Sequence, residues 1–168
     1  MRVGDEAEFE GHMLEVTLGP GMLSRNYDGL QNDLDKMEGV FLRRGEYTFP
    51  LDNDKLWDFK PLAKVGDKVT AGGWLGEVDE NFQPHKIMVP FTFKGEYTVK
   101  SLKEAGQYTI GEVIAVLTDE AGKDVEVTMI QRWPVKRAIT CYKEKPRPYK
   151  LLETGVRTID TVNPIVEG

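Results

Sequence analysis

The chain has 168 residues, a length that predicts one domain with at most a short appendage. Acidic residues number 28 and basic residues 22, and the net charge of −6 argues against a general binder of nucleic acid or anionic membranes. No run approaches the roughly 18 apolar residues of a membrane span, and the N-terminus has no apolar signal region. With Cys141 as its only cysteine, the chain is expected to be cytoplasmic and free of internal disulfides.

Short runs that mix apolar and polar residues recur along the chain and predict strands. The 17 glycines and 9 prolines favour many short strands over long helices. The predicted strands, in chain order, are Met13–Leu18, Val40–Arg43, Glu46–Phe49, Lys86–Val89, Glu96–Leu102, Val113–Thr118 and Val125–Ile130. In the last run, Val125, Val127 and Met129 occupy alternate positions, which is typical of a half-buried antiparallel strand.

Two connecting segments have recognisable signals. Residues 119–124 are polar and contain a glycine, so they predict a hairpin loop between the last two strands. Near the C-terminus, Thr154 is expected to cap a short helix that carries Val156, Ile159 and Val162 on one face and ends before Pro164. The predicted fold class is therefore mainly β: a small β-barrel or barrel-sandwich-like module of short antiparallel strands, with little helix.

Charge is unevenly spread. Residues 1–38 hold nine acids and three bases, whereas residues 132–150 hold seven bases and one acid. The basic segment also contains Trp133, Tyr142 and Tyr149, and aromatic residues among bases are typical of a single-stranded nucleic-acid surface. Three prolines in the same segment break regular structure. We therefore favour a solvated extended segment or a contact with an acidic protein neighbour, and expect no nucleic-acid partner.

The sequence predicts no catalytic, cofactor-binding or metal-binding residue. The glycine-rich stretches 19–21 and 72–76 do not have the spacing of a phosphate-binding loop, so we expect tight turns there. Cys141 has no histidine near it in sequence to act as a base. The carboxylate pairs Asp52 with Asp54 and Asp79 with Glu80 are of a kind common in acidic loops.

Residues 64–90 resemble one kind of carrier domain. The segments KVGDKVTAGGWLGEV (64–78) and HKIMVP (85–90) are similar to biotinyl and lipoyl domains, which form a flattened β sandwich. Such domains carry a modified lysine at a hairpin tip, flanked by methionines in the biotinyl case. Here Lys86 follows His85 and precedes Ile87, and its surroundings predict a strand. A carrier module stays an alternative function.

Six motifs in order carry a resemblance that covers nearly the whole chain. They are LGPGMLSRNYDGLQNDL (18–34), LWDFKPLAKVGDKVTAGGWLGEV (56–78), HKIMVP (85–90), GQYTIGEVIAVL (106–117), RWPVKR (132–137) and TGVRTIDTVNPIVEG (154–168). Together they resemble the catalytic A subunit of vacuolar- or archaeal-type rotary ATPases, and the bacterial or archaeal form is the closer likeness.

The resemblance implies a layout in three parts. Residues 1–39 correspond to the exit from an N-terminal barrel and the first segment of the nucleotide-binding domain. Residues 40–131 correspond to the bulge, or non-homologous, β domain, and residues 132–168 to the return segment that precedes the phosphate loop. ATP hydrolysis needs the lysine and hydroxyl side chains of that loop. We therefore expect a fragment that neither hydrolyses ATP nor binds it tightly, with ATP and Mg²⁺ belonging to the parent subunit.

The resemblance also implies a role through contacts. The parent would translocate protons or sodium ions, with its complex peripheral on the cytoplasmic face of the membrane and no direct membrane insertion by this chain. The expected partners are B-type subunits and subunits of the peripheral stalk. Candidate interface residues are Trp57, Phe59, Trp74 and Phe82, and the alternative for Trp57 and Trp74 is core packing. A stand-alone binding module that uses the basic segment is a further alternative.

Overall fold

The computed structural model describes residues 4, 6, 8, 9, 11–37, 39, 45–142, 144, 145 and 147–167. Within them, twelve short strands, one short 3₁₀ helix (Leu34–Lys36) and one short α-helix follow one another. The elements are β1 (Glu15–Leu18), β2 (Trp57–Pro61), β3 (Lys68–Val69), β4 (Trp74–Glu80), β5 (Gln83–Met88), β6 (Tyr97–Leu102), β7 (Gly106–Tyr108), β8 (Ala115–Thr118), β9 (Asp124–Val127), β10 (Gln131–Pro134), β11 (Leu151–Leu152), α1 (Arg157–Val162) and β12 (Ile165–Val166). The predicted fold class, mainly β with little helix, is confirmed.

Two four-stranded antiparallel sheets form the central part, which we call the sandwich. One sheet has the strand order β5-β4-β2-β7 and the other the order β3-β6-β8-β9. Two two-stranded ribbons flank them: β1 pairs with β10, and β11 pairs with β12. All of these pairings are antiparallel, both for neighbours along the chain such as β4 and β5 and for distant pairs such as β1 and β10.

The sandwich contains two hydrophobic clusters. The first is built mainly on the sheet that contains β2, and its buried members are Leu51, Trp57, Phe59, Val78, Ile87, Ile110, Ile114 and Met129. The second is built mainly on the sheet that contains β8, and its buried members are Leu75, Val89, Val99, Ala115, Leu117 and Val127. Strand β4 supplies residues to both clusters, because Leu75 and Val78 are three positions apart and therefore lie on opposite faces of the strand.

Gly76 permits the closest approach between two strands. A Cβ at this position would lie 2.2 Å from Cε2 of Phe59 and 2.8 Å from the carbonyl oxygen of Lys60. Real Cβ atoms do not come so close, so only glycine lets β4 cross over the Phe59 ring. The sequence signal Gly-Glu-Val within a strand reflects this packing.

The segment between β1 and β2 is held by side-chain hydrogen bonds more than by strand pairing. The Gln31 side chain accepts from the Thr17 N–H at 2.7 Å and donates to the Thr17 carbonyl at 2.6 Å. The Tyr27 hydroxyl donates to the carbonyl of Pro50 at 2.8 Å. These bonds fix the loop between the β1–β10 ribbon and the start of the sandwich.

Most of the predicted strands are present, with shifted ends. β1, β6 and β8 fall within the predicted runs. β9 begins one residue before its predicted start at Val125, and β5 begins three residues before its predicted start at Lys86. The predicted loop 119–124 connects β8 and β9, with the Asp119 N–H donating to the Lys123 carbonyl. The predicted strand Val40–Arg43 lies outside the described residues.

The predicted strand Glu46–Phe49 is wrong. The backbone there is bonded to side chains and not to another strand, since the Thr48 N–H donates to Oδ1 of Asn32 at 3.0 Å. The Thr48 hydroxyl in turn accepts from the Asp33 N–H at 2.7 Å. Because these bonds occupy the groups that a strand would use, no ladder forms.

The C-terminal hairpin consists of β11, α1 and β12. The predicted helix is present over Arg157–Val162, but its expected cap is wrong, because Val156 is the N-cap and makes no side-chain capping bond. Instead, the Asp160 carboxylate reaches back and accepts from Thr154 Oγ1 at 2.6 Å and from the Gly155 N–H at 3.0 Å. These hydrogen bonds, first of all the one from Thr154, hold the pKa of Asp160 below its ordinary value of 3.8. The helix has no buried residue.

Candidate interaction surface

The four predicted interface residues divide into two pairs. Trp57 and Phe59 are 4% and 1% exposed and belong to the first hydrophobic cluster. Trp74 and Phe82 are 58% and 99% exposed. Trp57 and Phe59 therefore stabilise the core and offer no surface to a partner. The interface role stays a prediction for Trp74 and Phe82 alone.

Phe82 stands at the tip of the β4–β5 hairpin. Asn81 and Phe82 form the two-residue turn, and both have positive φ angles, 53° and 65°. That combination is the type I′ turn, in which glycine is usual at the second place. A bulky residue at positive φ is strained, and here the strain accompanies a ring that touches almost nothing. The turn thus holds an unsupported aromatic ring in solvent, aided by an N–H bond from Phe82 to Asp79 Oδ1 at 3.0 Å.

Trp74 lies at the opposite end of the same hairpin. Six strand residues separate it from the turn, which corresponds to about 20 Å of strand. The Lys86 ammonium lies 5.0 Å from the centroid of the Trp74 ring and forms an ion pair with Glu77. The hydrogen bond from Lys86 holds the pKa of Glu77 below its ordinary value of 4.5. The exposed Trp74 ring therefore lies beside an ion pair, in which the charges of Lys86 and Glu77 neutralise each other.

Glu80 is a residue that sequence reasoning missed. The sequence places it in a carboxylate pair of a kind common in acidic loops, yet it ends β4 and is only 2% exposed. Its Oε1 accepts from the N–H groups of Gly21 and Leu23 at 2.7 and 3.0 Å, and its Oε2 lies 2.7 Å from His85 Nδ1. We call this arrangement the Glu80 junction. The available signal was strand alternation, because Glu80 follows buried Val78 by two positions on the same face.

A cavity of about 360 Å³ lies beside the Glu80 junction. One side is formed by β5 and the other by residues 128–131, and the loop residues Gly19, Met22 and Leu23 close one end. Its lining is largely apolar and carries no grouping of nucleophile and base. Among the described residues, no three His, Cys, Asp or Glu side chains are placed to hold a metal ion.

The other chemical candidates have structural roles. Gly21 and Gly72 adopt positive φ angles in turns, as expected for the two glycine-rich stretches. Lys86 lies within β5 and pairs with Glu77, whereas a carrier lysine would occupy the hairpin tip where Phe82 stands. The geometry therefore does not favour the carrier alternative.

Residues 48–136, more than half of the chain, match the family described as the ATP synthase alpha/beta subunit barrel-sandwich domain. The chain belongs to this family. Its whole length is 46% identical to a segment of the V-type ATP synthase alpha chain of Treponema denticola. Similar matches, each 46% identical over 99% of the chain, are the V-type ATP synthase alpha chains of Borrelia garinii and Borreliella burgdorferi. The chain spans 29% of the length of each of these relatives.

Proposed function

We propose that this chain acts within the A subunit of a V-type or archaeal-type ATP synthase as a contact module without catalysis. The single observation that carries the proposal is the 46% identity to V-type ATP synthase alpha chains over the full length of the chain. The sequence contains no GxxxxGK[ST] motif, so the groups that would bind the phosphates of ATP belong to other parts of such a subunit.

The activity of the whole subunit is part of the proposal. An A subunit of this kind would hydrolyse or synthesise Mg²⁺-bound ATP and drive proton or sodium transport, peripheral on the cytoplasmic face of a membrane. In the described part of the chain, no helix is long and apolar enough to cross a bilayer. This module would then act through contacts with B-type subunits and with the peripheral stalk, and the stalk would resist the torque of rotation.

Trp74 and Phe82 are the proposed anchors of these contacts. Both are aromatic and exposed, and aromatic residues dominate the energetics of protein interfaces. Each has a local feature that an ordinary exposed residue lacks. Phe82 lies in a turn with positive φ, and Trp74 lies beside the ion pair between Lys86 and Glu77. About 20 Å of strand separates them, so a partner that contacts both must lie along the length of the hairpin.

The test is binding of this chain to purified B-type subunit and to purified peripheral stalk subunits of a V-type ATP synthase. The double variant Trp74→Ala with Phe82→Ala is expected to lose about tenfold or more in affinity for one of them. A matched control replaces Phe9 and Tyr47, two exposed aromatic residues outside the hairpin. An equal loss in both double variants, or no binding to either subunit, would contradict the proposal.

Calorimetric titration with ATP and magnesium tests the non-catalytic part. No binding heat is expected, because no phosphate loop is present. Micromolar binding would show a nucleotide site in this chain and contradict the proposal.

A further inference from the structure

The basic segment, residues 132–150, has a charge that its own surroundings do not neutralise. It holds seven bases and one acid, which gives a net charge of +6 within a chain whose net charge is −6. Every base of the segment that the structure describes is exposed, namely Arg132, Lys136, Arg137, Lys145, Arg147 and Lys150. An exposed cluster of one sign repels itself and attracts an acidic partner.

Ion pairs use only one of these described bases. Lys150 lies 2.9 Å from Glu167, and none of the other five has a carboxylate of a described residue within 4.0 Å. Arg137 instead lies over the ring of Trp133, 5.6 Å from its centroid. Five cations therefore have no acidic partner among the described residues.

The segment is anchored at its start and then runs without helix or strand. Trp133 is buried, and its Nε1–H donates to the Arg137 carbonyl at 2.7 Å, which fixes the first turn after β10. No described residue from 135 to 150 belongs to a helix or strand. Tyr142 and Tyr149 are exposed along this stretch. The described part of this segment thus presents charges and aromatic rings on a backbone without regular secondary structure.

We propose that the basic segment binds an acidic protein surface. It deepens the proposed function and rests on it, since in a subunit complex that surface belongs to a neighbouring subunit. Cations supply attraction and orientation, and exposed tyrosines supply buried contact area. A protein is favoured over nucleic acid because residues 1–38 carry a net charge of −6 and the whole chain is acidic, which repels a polyphosphate.

The test uses the full chain and two labelled probes of equal length, a poly-glutamate peptide and an oligo-dT strand, in fluorescence anisotropy. The chain is expected to bind the peptide more tightly than the oligonucleotide, with an affinity that falls as salt is raised. Changing Arg132, Lys136, Lys145 and Arg147 to Gln is expected to weaken peptide binding by about tenfold, since each exposed charge contributes modestly.

A matched control variant changes Lys60, Lys64, Lys94 and Lys123 to Gln. These lysines are exposed, lie outside the basic segment and alter the net charge by the same amount. Peptide affinity of the control is expected to change by less than about twofold. Circular dichroism checks that both variants keep the β fold.

Four results would overturn the proposal: no peptide binding, an equal loss in both variants, tighter binding of oligo-dT, or salt-sensitive self-association in place of peptide binding. The last would make residues 1–38 of a second copy the acidic partner. Because the probe contains no ATP synthase subunit, its result is separate from that of the subunit binding assay. Loss of peptide binding alone leaves the proposed function standing.

Discussion

The sandwich and the C-terminal hairpin are built from similar short strands but are stabilised differently. Every buried hydrophobic residue among the described residues lies between Leu51 and Trp133. The C-terminal hairpin, 151–166, has no buried residue and exposes Leu151, Val162 and Ile165. Since burial of apolar area is the main source of stability, the sandwich is expected to fold by itself and the hairpin to add little.

The sandwich and the C-terminal hairpin show that short strands of similar composition can have different structural consequences. A two-stranded hairpin in water is marginal, whereas sheets that face each other bury both inner surfaces. In the C-terminal hairpin, hydrogen bonds that the Asp160 carboxylate accepts from the Thr154 hydroxyl and the Gly155 N–H take the place of a core. Local hydrogen bonding can therefore specify a shape without making it stable.

The largest effect is expected from truncating a core ring. Phe59→Ala removes a fully buried side chain from the first hydrophobic cluster and should lower the free energy of unfolding by about 3–5 kcal/mol. Phe82→Ala removes the same ring from an exposed position and should change it by less than about 0.5 kcal/mol. Urea unfolding measures both. Similar losses in the two variants would refute the division between core and surface.

The second largest loss of stability is expected from overpacking where β4 crosses the Phe59 ring. Gly76→Ala places a Cβ against Phe59 and the Lys60 carbonyl and is expected to cost about 1–3 kcal/mol in the free energy of unfolding. Gly111→Ala is the control, because nothing lies within 4 Å of its Cβ position. A Gly76 variant as stable as this control would mean that β4 and β2 can separate freely.

The Glu80 junction should show an effect of similar size. Glu80→Gln replaces a carboxylate that accepts from Gly21 and Leu23 and pairs with His85. Loss of charged hydrogen bonds in a buried place is expected to cost about 1.5–3 kcal/mol by urea unfolding. Glu126→Gln, on an exposed edge-strand position, is the matched control and should stay within about 0.5 kcal/mol. An unchanged Glu80 variant would show that the junction is not structural.

Acid should weaken the sandwich through surface carboxylates. Hydrogen bonds from Lys86 and Lys100 hold the pKa values of Glu77 and Asp124 below their ordinary 4.5 and 3.8. A lowered pKa in the folded state contributes stability above the ordinary pKa, and this is lost as pH falls through the folded value. Thermal unfolding should therefore show a falling Tm below about pH 4.5. The double variant Glu77→Gln with Asp124→Asn should flatten that limb, and an unchanged slope would contradict the assignment.

The smallest effect is expected in the C-terminal hairpin. Val162→Ala shortens an exposed side chain of α1 and should change the free energy of unfolding by less than about 0.5 kcal/mol. A loss of stability comparable to that of Phe59→Ala would contradict the conclusion that the C-terminal hairpin adds little to the stability of the chain. Urea unfolding of this variant beside Phe59→Ala gives the contrast directly.

Sequence patterns predicted the second sheet better than the first. β9 alternates polar and apolar residues, and β6 and β8 are short runs rich in apolar and β-branched residues, so their existence and the β8–β9 hairpin loop could be predicted. β4 breaks the pattern, because its buried positions include Gly76 and Glu80. Gly76 is buried because the Phe59 ring packs across the strand there. Glu80 is buried because it binds a loop that is 57 or more residues away in sequence. Neither can be read from neighbouring residues.

The candidate surface could be predicted only in part. Trp57 begins the alternating run Trp-Asp-Phe-Lys, which matches its burial, whereas Trp74 follows two glycines and precedes buried Leu75, so its own exposure is not evident from its neighbours. The strand register decides, since a one-residue change of register moves a side chain to the opposite face. Phe82 is exposed because the hairpin turns at Asn81 and Phe82. Turns of this type usually contain glycine, and because this one does not, its position could not be predicted from the sequence.

Hydrogen exchange of backbone amides tests the central contrast most directly. In the isolated chain, the amides of β4, β6 and β8, each paired on both sides, should exchange slowest and only through global unfolding. Amides of the C-terminal hairpin should exchange nearly as fast as unprotected ones. Equal protection of 151–166 and the sandwich would contradict the account, because it would show that both regions share one cooperative core.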